Sequence, residues 1–110
     1  MLMTPDEVWA GISETELSRT DVAAGTGFGK SEGLRVSGKI YAMFIQDELV
    51  VKLPKSRVDK LVDGGGGRRF DPGHGRIMKE WAVLPSAVMD DWSALVDEAR
   101  MYANPSGHPA

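Results

Sequence analysis

Apolar positions along the chain follow two different periods. Val8, Trp9 and Ile12 fall on one helical face, with Leu17 as a fourth contact. Thr4 suits an N-cap, Pro5 the first helical position, and Glu7 completes a capping box, so a helix is predicted over residues 5–19. Gly25, Gly27, Gly29 and Gly33 then punctuate a loop, and the polar stretch Thr20–Ala23 reads as too short for a buried strand. Leu34–Val36 is a short strand, and Ser37-Gly38-Lys39 a tight turn. Ile40–Ile45 is apolar on both faces, which places it centrally in a covered sheet. After a turn at Gln46-Asp47, Glu48–Leu53 alternates, with Leu49, Val51 and Leu53 on one side and Val50 and Lys52 on the other.

Pro54 opens a second helix with Val58, Leu61 and Val62 as its buried stripe, and Gly64 stands where a C-terminal glycine cap belongs. Arg68-Arg69-Phe70 reads as a short strand and Ile77–Leu84 as the last. In the latter, Ile77, Lys79, Trp81 and Val83 share one face, while Met78, Glu80, Ala82 and Leu84 share the other. Val88, Trp92, Leu95, Val96, Ala99 and Tyr102 give the clearest amphipathic pattern, a helix over residues 86–103. Asp90 and Asp91 fall in its first turns, where carboxylates favour the helix dipole. Residues 104–110 read as a disordered tail behind a single domain, 1–103. Short links between strands mean antiparallel pairing. The expected fold is an α+β two-layer sandwich, order α-β-β-β-α-β-β-α, its helices packed against a sheet of about five strands.

Composition narrows the classes. The chain has 110 residues, 42% hydrophobic and 26% charged, enough for one real core. No apolar run reaches the roughly 18 residues of a membrane span, so no membrane contact is expected. The acidic start does not resemble a signal peptide, and the absence of cysteine excludes disulfides and thiolate sites; a cytoplasmic location is expected. The net charge of −3 hides a segregation: −4 over residues 1–50, +4 over 51–80 and −3 over 81–110. The basic segment carries Lys52, Lys55, Arg57, Lys60, Arg68, Arg69, Arg76 and Lys79. Gathered on one face, it would meet phosphate or an acidic partner. Most exposed Lys and Arg only solubilise, and four interleaved acids weaken any phosphate-tracking surface.

Ala24 to Ser31 satisfies a relaxed phosphate-loop pattern, ending in Gly29-Lys30-Ser31. That chemistry needs a buried strand before the loop and a helix after it, and neither is predicted here. His74, beside Asp71 in a turn-rich loop, has no sequence partner for nucleophilic catalysis and no metal-ligand spacing with His108. No catalytic residue, cofactor or metal is therefore expected. An enzyme built on the glycine-rich loop and His74 would need a pocket joining them. Trp9, Trp81 and Trp92 read as core. Lys52 and Lys79 sit mid-strand among apolar neighbours, on a side facing solvent or a partner, where Tyr41, Met43, Val50 and Met78 would complete an interface.

Thr26-Gly27-Phe28-Gly29, Gly38-Lys39-Ile40-Tyr41-Ala42, Leu49-Val50-Val51-Lys52-Leu53, Met78-Lys79-Glu80-Trp81 and the Trp92-containing last helix resemble, in order and spacing, the N-terminal domain of the TfoX/Sxy family. The resemblance spans roughly residues 5–103. The stretch Phe70 to Arg76 is similar to that of small single-domain members. It implies a two-layer α+β fold like that of the secretion-chaperone and YjbR-like group, and a bacterial cytosolic protein. Named members regulate natural competence and carry a second, C-terminal domain, which residues 104–110 are too few to supply. The family transfers no catalytic residues.

The expected function is thus a non-catalytic interaction module acting on a protein partner, with a homodimer among its expected forms. The alternative is a nucleic-acid accessory protein using the basic segment. The candidate partner or anion contacts are Lys39, Lys52, Arg57, Lys60, Arg68, Arg69, Arg76 and Lys79.

Overall fold

The first helix, α1 (Pro5–Leu17), begins as its sequence predicts. Thr4 Oγ1 accepts from the Glu7 amide at 3.2 Å, and the Glu7 carboxylate accepts from the Thr4 amide at 2.9 Å. Two otherwise unpaired amides at this end are thereby satisfied reciprocally. Trp9 and Ile12 point inward, but Leu17, at the helix end, is 41% exposed. The next inward position after Ile12 is Glu16, a buried acid. The structure is a computed structural model that describes residues 3–25, 32–71 and 77–104.

Six strands form one antiparallel sheet: β1 (Val22–Ala24), β2 (Glu32–Val36), β3 (Lys39–Ile45), β4 (Glu48–Lys52), β5 (Arg68–Phe70) and β6 (Met78–Leu84), in the order β1-β2-β3-β4-β6-β5. Helix α2 (Lys55–Asp63) links β4 to β5. The fold is α+β, as expected, but with six strands rather than five. The added strand is β1. Three residues hold no readable period; pairing with β2 (Val22↔Val36, Ala24↔Leu34) makes them a strand. Both two-residue hairpin turns hold positive φ at each centre: Ser37 (50°) and Gly38 (84°), then Gln46 (51°) and Asp47 (65°). That geometry matches the twist of the strands it joins.

Other boundaries shift for local reasons. Pro54 is extended (ψ 148°) and precedes α2 instead of opening it. Gly64 stays right-handed, and Gly65 takes the left-handed conformation (φ 78°) behind the helix. The last helix is shorter than its periodicity predicts. Ser86–Asp91 forms a 3₁₀ segment containing Val88 at φ −114°, ψ 23°, and α3 proper runs Trp92–Ala103. Asp90 and Asp91 therefore lie before α3 rather than in its first turn.

The helices cover one sheet face, which holds the main core. Trp9 of α1 stacks on Phe44 of β3 (centroids 5.6 Å apart, planes at 9°), and Phe44 meets Trp92 of α3 edge-on at 6.1 Å. Leu34, Val36, Leu49, Val51, Leu53, Val58, Leu84 and Val96 fill the space between. One irregularity decides the facing of β3. Leu34 pairs with Ala42 and Arg35 with Ile40, so Tyr41 is an extra, bulged residue. The bulge turns Tyr41 and Ala42 both toward the helices. Tyr41, expected on the open face, is thus a core residue.

Candidate functional site

The opposite sheet face carries a second, smaller apolar cluster. Paired residues share a face, and Met43 of β3, Val50 of β4 and Val83 of β6 lie side by side in register. All three are buried, with Ile40, Ile45, Phe70 and Trp81 packed around them. No described helix packs on this cluster. Trp81, expected between sheet and helix, stands here, half-buried, in register with Lys52. The Lys52 ammonium lies 6.0 Å from the Trp81 ring centroid. Lys79 follows two residues before Trp81 on the same side, because Glu80 between them turns to the helices and accepts from Tyr102 Oη at 3.0 Å. Ile77 and Met78, exposed by 57% and 37%, lead into this corner.

The expected basic contacts do not gather on one surface. Arg57 is spent on Glu98 of α3 through two hydrogen bonds of 2.9 and 3.0 Å. Arg69 bonds Asp59 of α2 at 2.6 Å, on the helix side. Arg68 is on the open face but holds Glu48 at 2.5 and 2.9 Å. Those bonds set the charges: the Arg68 hydrogen bond holds the Glu48 carboxyl below its usual range, and Lys55, then Arg69, do the same for Asp59. Lys60 projects from α2, and Lys39 stands at the hairpin opposite Val36. Among the described residues, Lys39, Lys52, Lys60 and Lys79 have no ion-pair partner. The sequence pattern missed Arg35, which pairs with Ile40 and so joins Lys52 and Lys79 on the open face. Its signal was the alternation Leu34-Arg35-Val36, a single polar residue between two core positions.

A polar cluster is buried on the helix side. Glu16 accepts from Tyr41 Oη at 2.7 Å and from Arg100 Nη1 at 2.8 and 2.7 Å, and Arg100 also binds Asp97. Burial, then the Glu16 hydrogen bond, push the Tyr41 phenol far above its ordinary value. A hollow of about 220 Å³ beside the cluster is lined by Arg19, Asp21, Asp97, Arg100 and Met101. Its arginines already face carboxylates, Arg19 on Asp21 at 3.6 Å and Arg100 on Glu16 and Asp97, so no free cation is left there for an anion.

Most of the phosphate-loop match (residues 26–31), His74, Arg76 and the tail from residue 105 lie outside the described residues. A three-residue strand, β1, precedes the loop, where none was predicted, and the strand β2, not a helix, follows it. The helix N-terminus a phosphate loop requires is therefore not supplied by β2. Among the described residues no three His, Asp or Glu side chains gather as metal ligands, and no helix is long and apolar enough to cross a membrane. Compared with known proteins, the chain matches no family model, no curated protein and no solved structure.

Proposed function

We propose that this chain is a non-catalytic interaction module of TfoX N-terminal type, which engages a protein partner through the open face of its sheet. The observation that carries the reading is the half-buried Trp81 and Ile40, flanked by Lys52 and Lys79 and rooted on the buried Met43, Val50 and Val83, on a face where no described helix packs. A sheet face bordered only by water is normally polar at alternate positions. Here the same face holds Ile40, Met43 and Ile45 of β3, and Trp81 and Val83 of β6.

Site-specific photo-cross-linking tests it. A benzophenone amino acid replaces Trp81 on the open face or, as control, Asp63 on α2, and the cells are irradiated. The expected result is a discrete protein adduct from the Trp81 variant alone, identified by mass spectrometry. Equal labelling from both positions, or none from Trp81, overturns the reading. Light scattering shows whether the adduct's partner is a second copy of the chain. The nucleic-acid alternative has its own readout, binding of labelled DNA that falls steeply with salt.

A further inference from the structure

Charge in this molecule is divided between its layers. Helix α1 carries four acids and no base, the 3₁₀ segment with α3 four acids and Arg100, and α2 three bases and two acids, together −6. The six strands carry six bases and three acids, +3. On the open sheet face the acid Glu48 is neutralised by Arg68. Arg35, Lys52 and Lys79 remain there without a carboxylate partner among the described residues, around the half-buried Trp81 and Ile40.

Resting on the open-face reading above, we infer that the partner presents an acidic, apolar-anchored segment to this face. Its apolar side chain sits against Trp81 and Ile40, and its flanking carboxylates meet Arg35, Lys52 and Lys79. The cations span β2 to β6, three strand spacings or about 14 Å, which about four to five residues of extended chain cover. Two features favour a peptide over nucleic acid. The neighbouring surface is largely aliphatic, with Trp81 and Phe70 its aromatic members among the described residues, and the Lys52 ammonium already stands near the Trp81 ring. The helix layer's −6 also repels a long polyphosphate. Two copies packed through this face would each bring Arg35, Lys52 and Lys79, so charge complementarity points to a different chain.

An unbiased peptide selection tests the inference. Phage-displayed random 12-residue peptides are selected on the intact protein, and winners are titrated while the three tryptophan indole signals are followed by NMR. The expected winners are rich in Asp and Glu around one or two large apolar residues. They shift the Trp81 signal while Trp9 and Trp92 stay still. Binding weakens about tenfold or more in Lys52→Glu/Lys79→Glu, and also when salt is raised from about 0.05 to about 0.5 M. Lys52→Gln/Lys79→Gln, with an unchanged melting temperature, separates lost attraction from lost folding. Neutral or basic winners that still shift Trp81 overturn the acidic partner and leave the open face standing. Winners that ignore Trp81 and the lysine variants overturn both. A single-stranded oligonucleotide binding that face more tightly than any peptide replaces the inferred partner with nucleic acid.

Discussion

Glu16 is an acid inside a core, and two neighbours make that tolerable. Tyr41 reaches it from β3 and Arg100 from α3, so one carboxylate ties three elements together. Removing the cation alone leaves a buried charge, and Arg100→Leu should cost about 3–5 kcal/mol in urea unfolding. Tyr41→Phe removes one hydrogen bond to a charged group, about 1.5–3 kcal/mol. The triple change Glu16→Leu, Tyr41→Phe, Arg100→Leu should recover most of the loss, because well-packed apolar groups often match a buried ion pair. Tyr41 also predicts behaviour in alkali. Its folded pKa is raised, so the unfolded chain loses that proton first. Its stabilising contribution is complete below about pH 10 and declines above it. Phenolate absorbance from Tyr41 should therefore appear together with loss of the folded circular-dichroism signal, not before it. Sequence alone hid this cluster: Glu16 lies 25 residues from Tyr41 and 84 from Arg100, and no local period joins them.

Among the elements, the hairpins and the link from α2 to β5 give the sharpest tests. A Cβ on Gly67 would come within 3.0 Å of both the Leu84 side chain and the Val83 carbonyl oxygen. The carbonyl is sheet backbone and cannot step aside, so Gly67→Ala should destabilise by about 1–3 kcal/mol, read by thermal melting. Gln46 and Asp47 hold positive φ without glycine, so Gln46→Asn with Asp47→Gly should raise stability by a few tenths to about 1 kcal/mol. The helices and four of the strands were legible because capping chemistry and periods of 3.6 and 2 extend over many residues. Even Arg68–Phe70, three residues long, showed between its turn signals. Strand β1 offered no pattern, being held by its partner. Within β3, strict alternation fails once, at the bulge, and that failure moved Tyr41 to the helix side. Trp81 and Lys79 were on the side their alternation with Val83 gave; what alternation could not say was which side the helices would take.

At the scale of the whole molecule the charges form two layers, and only half of that was readable. The run of bases over residues 51–80 stood out, yet Arg57 finds its acid 41 residues away and Arg68 finds Glu48 across the sheet. Lys52 and Lys79 stood out as mid-strand charges, and both lie on the face away from the helices. The paired carboxylates contribute to the acid side of stability. Glu48 and Asp59 are held below their unfolded values, so the unfolded chain takes up protons first as pH falls. Their contribution is present above about pH 4 and is lost below it, and the denaturation midpoint should fall across that window.

The ring ladder from Trp9 through Phe44 to Trp92 also has a meaning in time. A ribosome delivers α1 first, but the indole and the guanidinium that complete its berth arrive only with α3. Until then Glu16 lacks its cation, and the Phe44 ring on which Trp9 stacks lacks its edge-on partner. The first helix made is thus among the last to settle, and a chain stopped after Asp91 should show no protected amides in α1 by hydrogen exchange. Birth order and docking order run in opposite directions here, and the growing chain carries a buried acid without its cation until α3 is made.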